Sequence, residues 1–269
     1  MTTIRTSLLG RSLAAGLLLL LVLFGIFPLT TTLTGGYPNV GQLSESITSN
    51  FVVFWHSSDA SLNAGLSAAV DYWARFHLIK AALALVLLVI LIPLGGRLWS
   101  AYANAGRLTR RLAIGAAGLV HAAITLLTVL ILVANIQGAI APLSSALGLM
   151  PLGGGNRALS KVAQQVQADL AAGATAPALE TLQTDFVRYH AVMAGLSALV
   201  TVLLIGWGVQ LLRQRARLAR AERRPRRVLL AGAGCALLLV GFFGLVTLAN
   251  VSTAANPGPA LAGFFAGGL

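Results

Sequence analysis

Two stretches of this 269-residue chain set an arginine, an aromatic ring and a histidine side by side. They are Trp73, Arg75, Phe76, His77 and, 113 residues on from His77, Phe186, Arg188, Tyr189, His190. Imidazole titrates near neutrality, so two such groups could pass a proton or hold a hydrogen-bonding ligand. They could also ligate a haem from its two faces, if both lie at one depth. Arg75 and Arg188 could hold an anionic or carbonyl-bearing ligand beside them. Lys80 follows His77 by about one helical turn, inside an apolar run, with Met193 at the matching place. A charge inside such a run defaults to a functional role, although lysine can also snorkel back to the surface, and Asp71 is a partner within reach. His121, in "GLVHAAITLLT", lies too deep to share a plane with the other two. It needs a polar partner, and Thr125 is four residues on. Asn135 and Asn250 end apolar runs and read as helix C-terminal residues or interhelical hydrogen-bonders. The candidate ligand-binding set is therefore Arg75, His77, Lys80, Arg188 and His190, with His121, Asn135 and Asn250 as buried polar groups. The competing structural reading is that arginines and rings at this position are interfacial anchors. No catalytic residue is assigned. The single Cys235 excludes a disulfide framework, and no zinc signature, nucleotide loop or serine elbow is present, so no metal site is expected.

The elements that must carry these residues are membrane helices. The chain is 57% hydrophobic and 10% charged, with mean hydropathy +0.83, whereas a soluble domain is about a quarter charged. Five runs reach the roughly 20 apolar residues a bilayer-spanning helix needs: about 12–33, 76–94, 112–134, 189–212 and 228–250. The first could be a secretory signal, but "PLTTTLTGG" offers no small-residue cleavage site. The fold class expected is thus all-α, with five transmembrane helices in a bacterial cytoplasmic membrane.

Orientation follows from the arginines. Arg5 and Arg11 precede the first run, and Arg97, Arg107, Arg110 and Arg111 follow the second. Arg213, Arg215, Arg217, Arg220, Arg223, Arg224, Arg226 and Arg227 follow the fourth. The loops 35–75 and 135–188 have no such excess. The N-terminus is therefore expected in the cytoplasm, and both long loops and the C-terminus outside. The net charge of +12 is concentrated where anionic lipid headgroups would bind it, so membrane lipids are the expected partners and nucleic acid is not. The excess of Arg over Lys, with abundant Ala, Leu and Gly, fits an actinobacterial, high-GC source.

The chain also repeats itself. "ANIQGAIAPLSSALG" and "ANVSTAANPGPALAG" align Asn135 with Asn250, Pro142 with Pro257 and Gly148 with Gly263, each 115 residues apart. Pro28 precedes Pro142 by 114 residues. Two parallel helix-pair repeats are read from this, about 12–142 and 113–263, sharing the third span in one membrane domain. The loops between are not linkers. "SLNAGLSAAVDYWARFH" and "APALETLQTDFVRYH" read as helices running into spans two and four. "SKVAQQVQADLAAG" puts Val162, Val166 and Leu170 on one face of an amphipathic helix. Together these would form a small helical cap.

The pattern W-x-R-F-H-x-x-K, made by Trp73, Arg75, Phe76, His77 and Lys80, resembles the start of the last helix in anthrone oxygenase-like integral membrane proteins. The partial repeat Phe186, Arg188, Tyr189, His190 is similar, and so is the Asn- and Pro-containing helix exit before it. The resemblance covers about 60 residues per repeat. It implies oxidation of anthrones to anthraquinones without a metal. The chain departs from the family in having five spans, a doubled motif and Met193 where a basic residue belongs. The expected function is binding of an apolar, lipid-like ligand or a membrane partner at the extracytoplasmic face, a second copy of the chain being one such partner. The alternative is a membrane oxidoreductase or oxygenase acting on a quinone-like or polycyclic substrate, with haem between the paired histidines as one form of it. A transporter would call for an inverted repeat with charged broken helices, and neither is seen. The cofactor stays open.

Overall fold

The computed structural model describes residues 35–57 and 59–267, with isolated positions 14, 16 and 33. The first expected span, 12–33, lies outside the described residues apart from those positions. Among the described residues the chain is helical and contains no strand. In chain order the helices are α1 (Val40–His56), α2 (Ala64–Ala103), α3 (Leu108–Ile140), α4 (Pro142–Leu147), α5 (Arg157–Ala172), α6 (Pro177–Arg217), α7 (Arg223–Ala255) and α8 (Pro257–Phe265).

Four of these, α2, α3, α6 and α7, are long and apolar enough to cross a membrane. They contain the runs expected at 76–94, 112–134, 189–212 and 228–250, and each continues past its run at both ends. α2 has 40 residues, about 60 Å at 1.5 Å per residue, or about twice the hydrocarbon thickness of a bilayer. Hydropathy reports the length that faces lipid, whereas the helix ends where a capping residue or a break stops it. Residues 64–75 and 177–188, within the outer-loop ranges above, are the opening turns of α2 and α6, as expected of helices running into spans two and four. Residues 135–140 are the closing turns of α3. Asn63 starts α2 by accepting the Leu66 N–H at 2.9 Å.

The short helices have their own local causes. Asn39 and Asn156 cap α1 and α5 through their side-chain oxygens, accepting from Gln42 N–H and Leu159 N–H. α5 buries Leu159, Val162, Ala163 and Val166, the face its spacing predicts, and stops at Gly173, whose φ of +63° suits glycine. Pro142 and Pro257, the aligned prolines, open α4 and α8. A residue without an N–H loses nothing at a helix start.

The chain divides into two compact units. The first contains Lys80–Val133 and Leu196–Thr247. Its core joins Ala84, Leu87 and Leu91 of α2 to Ile131 of α3, with Ile124 and Leu132 packed against them. Large apolar side chains such as Leu119 and Leu238 are about three-quarters exposed. In water that surface would be an association hazard; against lipid it costs nothing.

The second unit contains, among the described residues, 35–79, Ala134–Gly195 and the chain from Leu248. It has a dry core of ordinary globular kind. Leu43, Ile47, Phe51 and Phe54 of α1 are fully buried, and α1 and α8 both pack on α5. Phe51 stacks on Phe265 with centroids 5.9 Å apart, and Gln167 donates to the Phe265 carbonyl at 3.1 Å. The expected amphipathic helix is therefore present as α5, with α1 and α8 packed on it.

Candidate functional site

Both histidines of the doubled motif lie in the second unit, on α2 and α6, and each is bonded to one of the aligned asparagines. His77 Nδ1 is 2.8 Å from Asn135 Oδ1, and His190 Nδ1 is 2.8 Å from Asn250 Oδ1. An amide oxygen only accepts, so in both rings Nδ1 carries the proton and Nε2 keeps its lone pair. Asn135 and Asn250 are thus interhelical hydrogen-bonders, one of the two roles expected for them. They join α2 to α3 and α6 to α7.

At His77 the lone pair is occupied. Ser145, on α4, donates its hydroxyl to Nε2 at 3.0 Å, and Trp73 Nε1–H donates to Ser145 Oγ at 3.0 Å. The donors run in one direction, from indole to hydroxyl to imidazole to amide. The Trp73 ring also meets the imidazole edge-on at 4.6 Å. Gly138, one turn beyond Asn135, lets the ring in. A Cβ there would stand 2.7–2.8 Å from three ring atoms of His77, far inside van der Waals contact. His77 has no free ring nitrogen, so it does not fit as one axial ligand of a haem shared with His190.

His190 stands in a different environment. Phe186 meets it edge-on at 4.5 Å, in the place Trp73 takes beside His77, but a phenyl ring has no N–H. The position 115 residues beyond Ser145 is Ala260, which has no hydroxyl. Both donors above His77 are thus missing together at His190. Its Nε2 makes no hydrogen bond with the described residues. A half-buried imidazole with its tautomer held and its lone pair open is a base or a hydrogen-bond acceptor waiting for a donor.

The surroundings of His190 are tied down. Gln137, buried in α3, donates to the Tyr189 carbonyl at 3.1 Å. Asp185, one turn before Tyr189, accepts the Ser144 N–H at 2.7 Å, capping α4 from another helix. Arg188 is exposed and lines a cavity of about 410 Å³ with Glu180, Thr181, Thr184 and Asp185. Arg75 is exposed too and does not line that cavity. Lys80 is half-buried on α2. His121 belongs to the first unit and is buried. Thr125 sits 3.5 Å from its Nε2 but donates more closely, at 2.9 Å, to the His121 carbonyl. Nδ1 of His121 has no hydrogen-bond partner among the described residues, and the ring packs against Gly95, where a Cβ would stand 3.0 Å from Nε2.

Ser145, Gly138, Gln137 and Asp185 were not singled out from sequence. One signal for Ser145 was there: Trp73 and Ser145 change together to Phe186 and Ala260 between the aligned segments. Among the described residues no three His, Cys, Asp or Glu side chains gather as a metal site. No protein-family profile, no curated protein and no solved structure matches this chain.

Proposed function

We propose that this chain is a multi-pass protein of the bacterial cytoplasmic membrane that binds a hydroxyl-bearing, largely apolar ligand at His190. In this reading it spans the membrane five times. Its arginine-rich turns face the cytoplasm, its short helices lie outside, and two parallel helix-pair units share α3. Four apolar helices of spanning length support the membrane setting. The two Asn–His bonds of equal length, on equivalent helix pairs, support the duplication.

The observation that carries the function is the contrast between the rings. His77 is closed by Ser145 and Trp73, so it is a structural fastening; among the described residues nothing closes Nε2 of His190. A lone pair in an apolar setting selects a donor, so the ligand class is a lipid-like phenol, quinol or alcohol rather than a quinone. The test uses 2-naphthol, a fluorescent phenol, titrated into the protein in nanodiscs. Losing one such hydrogen bond costs about 1 kcal/mol, or five- to tenfold in affinity. Ala260→Ser supplies Nε2 with an internal donor and His190→Phe removes the acceptor; both are expected to weaken binding by that factor. Equal affinity in all three proteins refutes the reading.

A second reading is favoured by the same nitrogen. A fixed neutral base beside an aromatic wall could take the activated C–H proton of an anthrone, and the resemblance to anthrone oxygenase-like proteins points to that substrate. The carbanion would react with dioxygen, giving anthraquinone and water with one O₂ consumed per anthrone. Oxygen uptake with 1,8-dihydroxyanthrone, lost in His190→Phe and kept in His77→Gln, would establish it.

A further inference from the structure

The arginines do more than bias orientation. In the first unit, α2 ends at Ala103 and α3 begins at Leu108, while α6 ends at Arg217 and α7 begins at Arg223. These two tight turns enclose a cavity of about 560 Å³. Four guanidinium groups line it, Arg111 from α3, Arg217 from α6, and Arg224 and Arg227 from the first turns of α7, together with the rings of Trp99 and Tyr102. None of the lining residues is acidic. Nε of Arg111 is buried without a hydrogen-bond partner among the described residues, while its Nη2 donates to the Gly106 carbonyl at 3.3 Å. Four like charges around one space repel each other unless an anion sits among them.

We propose that this cavity is a specific binding site for the phosphodiester headgroup of an anionic phospholipid. Guanidinium forks match phosphate oxygens two at a time, and the start of α7 adds the positive end of its dipole. The aromatic pair and the apolar flank choose a lipid over a soluble phosphate. Trp99 is 39% exposed, as suits a ring at headgroup level. Leu108 and Leu112 of α3, Leu212 of α6 and Leu230 of α7 are exposed apolar side chains along which acyl chains can run. The site rests on the membrane-spanning reading and is independent of His190. It differs from diffuse attraction to the arginine-rich turn because it requires Arg111, which lies outside that turn, and excludes Arg213 and Arg220, which lie within it.

Native mass spectrometry of the full chain, incubated in detergent with dioleoylphosphatidylglycerol or dioleoylphosphatidylcholine, tests this directly. One phosphatidylglycerol is expected to stay bound under activation that strips phosphatidylcholine. Arg224→Gln with Arg227→Gln, and separately Arg111→Gln, are each expected to lower its affinity tenfold or more. Arg213→Gln with Arg220→Gln removes the same charge as the first pair outside the cavity and is expected to change affinity less than twofold. Equal losses in the two double variants would reduce the site to a general field and overturn the proposal. Equal retention of phosphatidylcholine would overturn it as well. Displacement of the lipid by millimolar inorganic phosphate would show a site for a soluble anion instead. Should Arg111→Gln fail to fold, the two double variants decide alone.

Discussion

Replacing Gly138 with alanine drives a methyl group into the imidazole of His77. The new Cβ would lie 2.7 Å from Cδ2 and Nε2 and 2.8 Å from Cε1, where about 3.5–4.0 Å is the comfortable separation. The ring must therefore retreat by about 1 Å. Its bonds to Asn135 and Ser145, now 2.8 and 3.0 Å, would stretch beyond hydrogen-bond range. Two such bonds in a membrane protein are worth about 0.6–1.5 kcal/mol each, and overpacking adds about 1–3 kcal/mol. The sum is a destabilisation of about 2–6 kcal/mol, measured as the shift in unfolding free energy in mixed micelles titrated with SDS. Gly118→Ala on the same helix is the control. A Cβ there meets nothing within 4 Å, so better helix propensity should make it neutral or stabilising, by up to about 1 kcal/mol. His77→Ala in the Gly138→Ala background completes a double-mutant cycle, and strong non-additivity is expected. If Gly138→Ala unfolds like the wild type, or the two changes simply add, the close fit of His77 against α3 is refuted.

Ser145→Ala removes the hydroxyl between Trp73 and His77, a loss of about 1–2 kcal/mol, and it opens His77 Nε2. Diethylpyrocarbonate is therefore expected to modify His190 but not His77 in the wild type, and both in Ser145→Ala; mass spectrometry of the digest reads the outcome. Asp185→Asn keeps the size but weakens the charge-assisted bond to Ser144 N–H, and should loosen α4 by about 1 kcal/mol, seen as faster amide exchange over 142–147. In a Cys235→Ala background, Lys161→Cys should be labelled by an impermeant maleimide on intact cells and Arg220→Cys only after lysis. The reverse pattern overturns the proposed orientation.

What could be read in advance divides by physical scale. The apolar runs of α2, α3, α6 and α7 are visible because twenty consecutive side chains carry the signal. The helices extend further because Asn63 and its like stop them, and a cap is one residue. The amphipathic face of α5 is a periodic signal and survives intact. Asn135 and Asn250 could be recognised as hydrogen-bonders, yet their partners could not be chosen: His77 is 58 residues from Asn135 and His190 is 60 from Asn250. Only the register of one helix against the next sets which groups meet. Ser145 reaches His77 because the chain turns at Ala141 and α4 follows, a direction that composition does not carry. Arg75 and Arg188 look equivalent in sequence, but Arg188 lines the cavity of about 410 Å³ and Arg75 does not.

The cap on α4 has a consequence for the order of assembly. Its acceptor, Asp185, follows Ser144 by 41 residues, and α4 has only six residues, too few to hold a helix alone. While the chain is being made, the α2–α3 hairpin is complete, with Asn135 able to meet His77, before Asp185 exists. Until α6 arrives, the segment that carries Ser145 lacks its cap. The imidazole that ends up closed is therefore open for the interval in which α5 and the start of α6 are synthesised. A nascent chain arrested before Asp185 should expose His77 to the reagent that later reaches His190 and not His77, and translation of α6 is the event that shuts it.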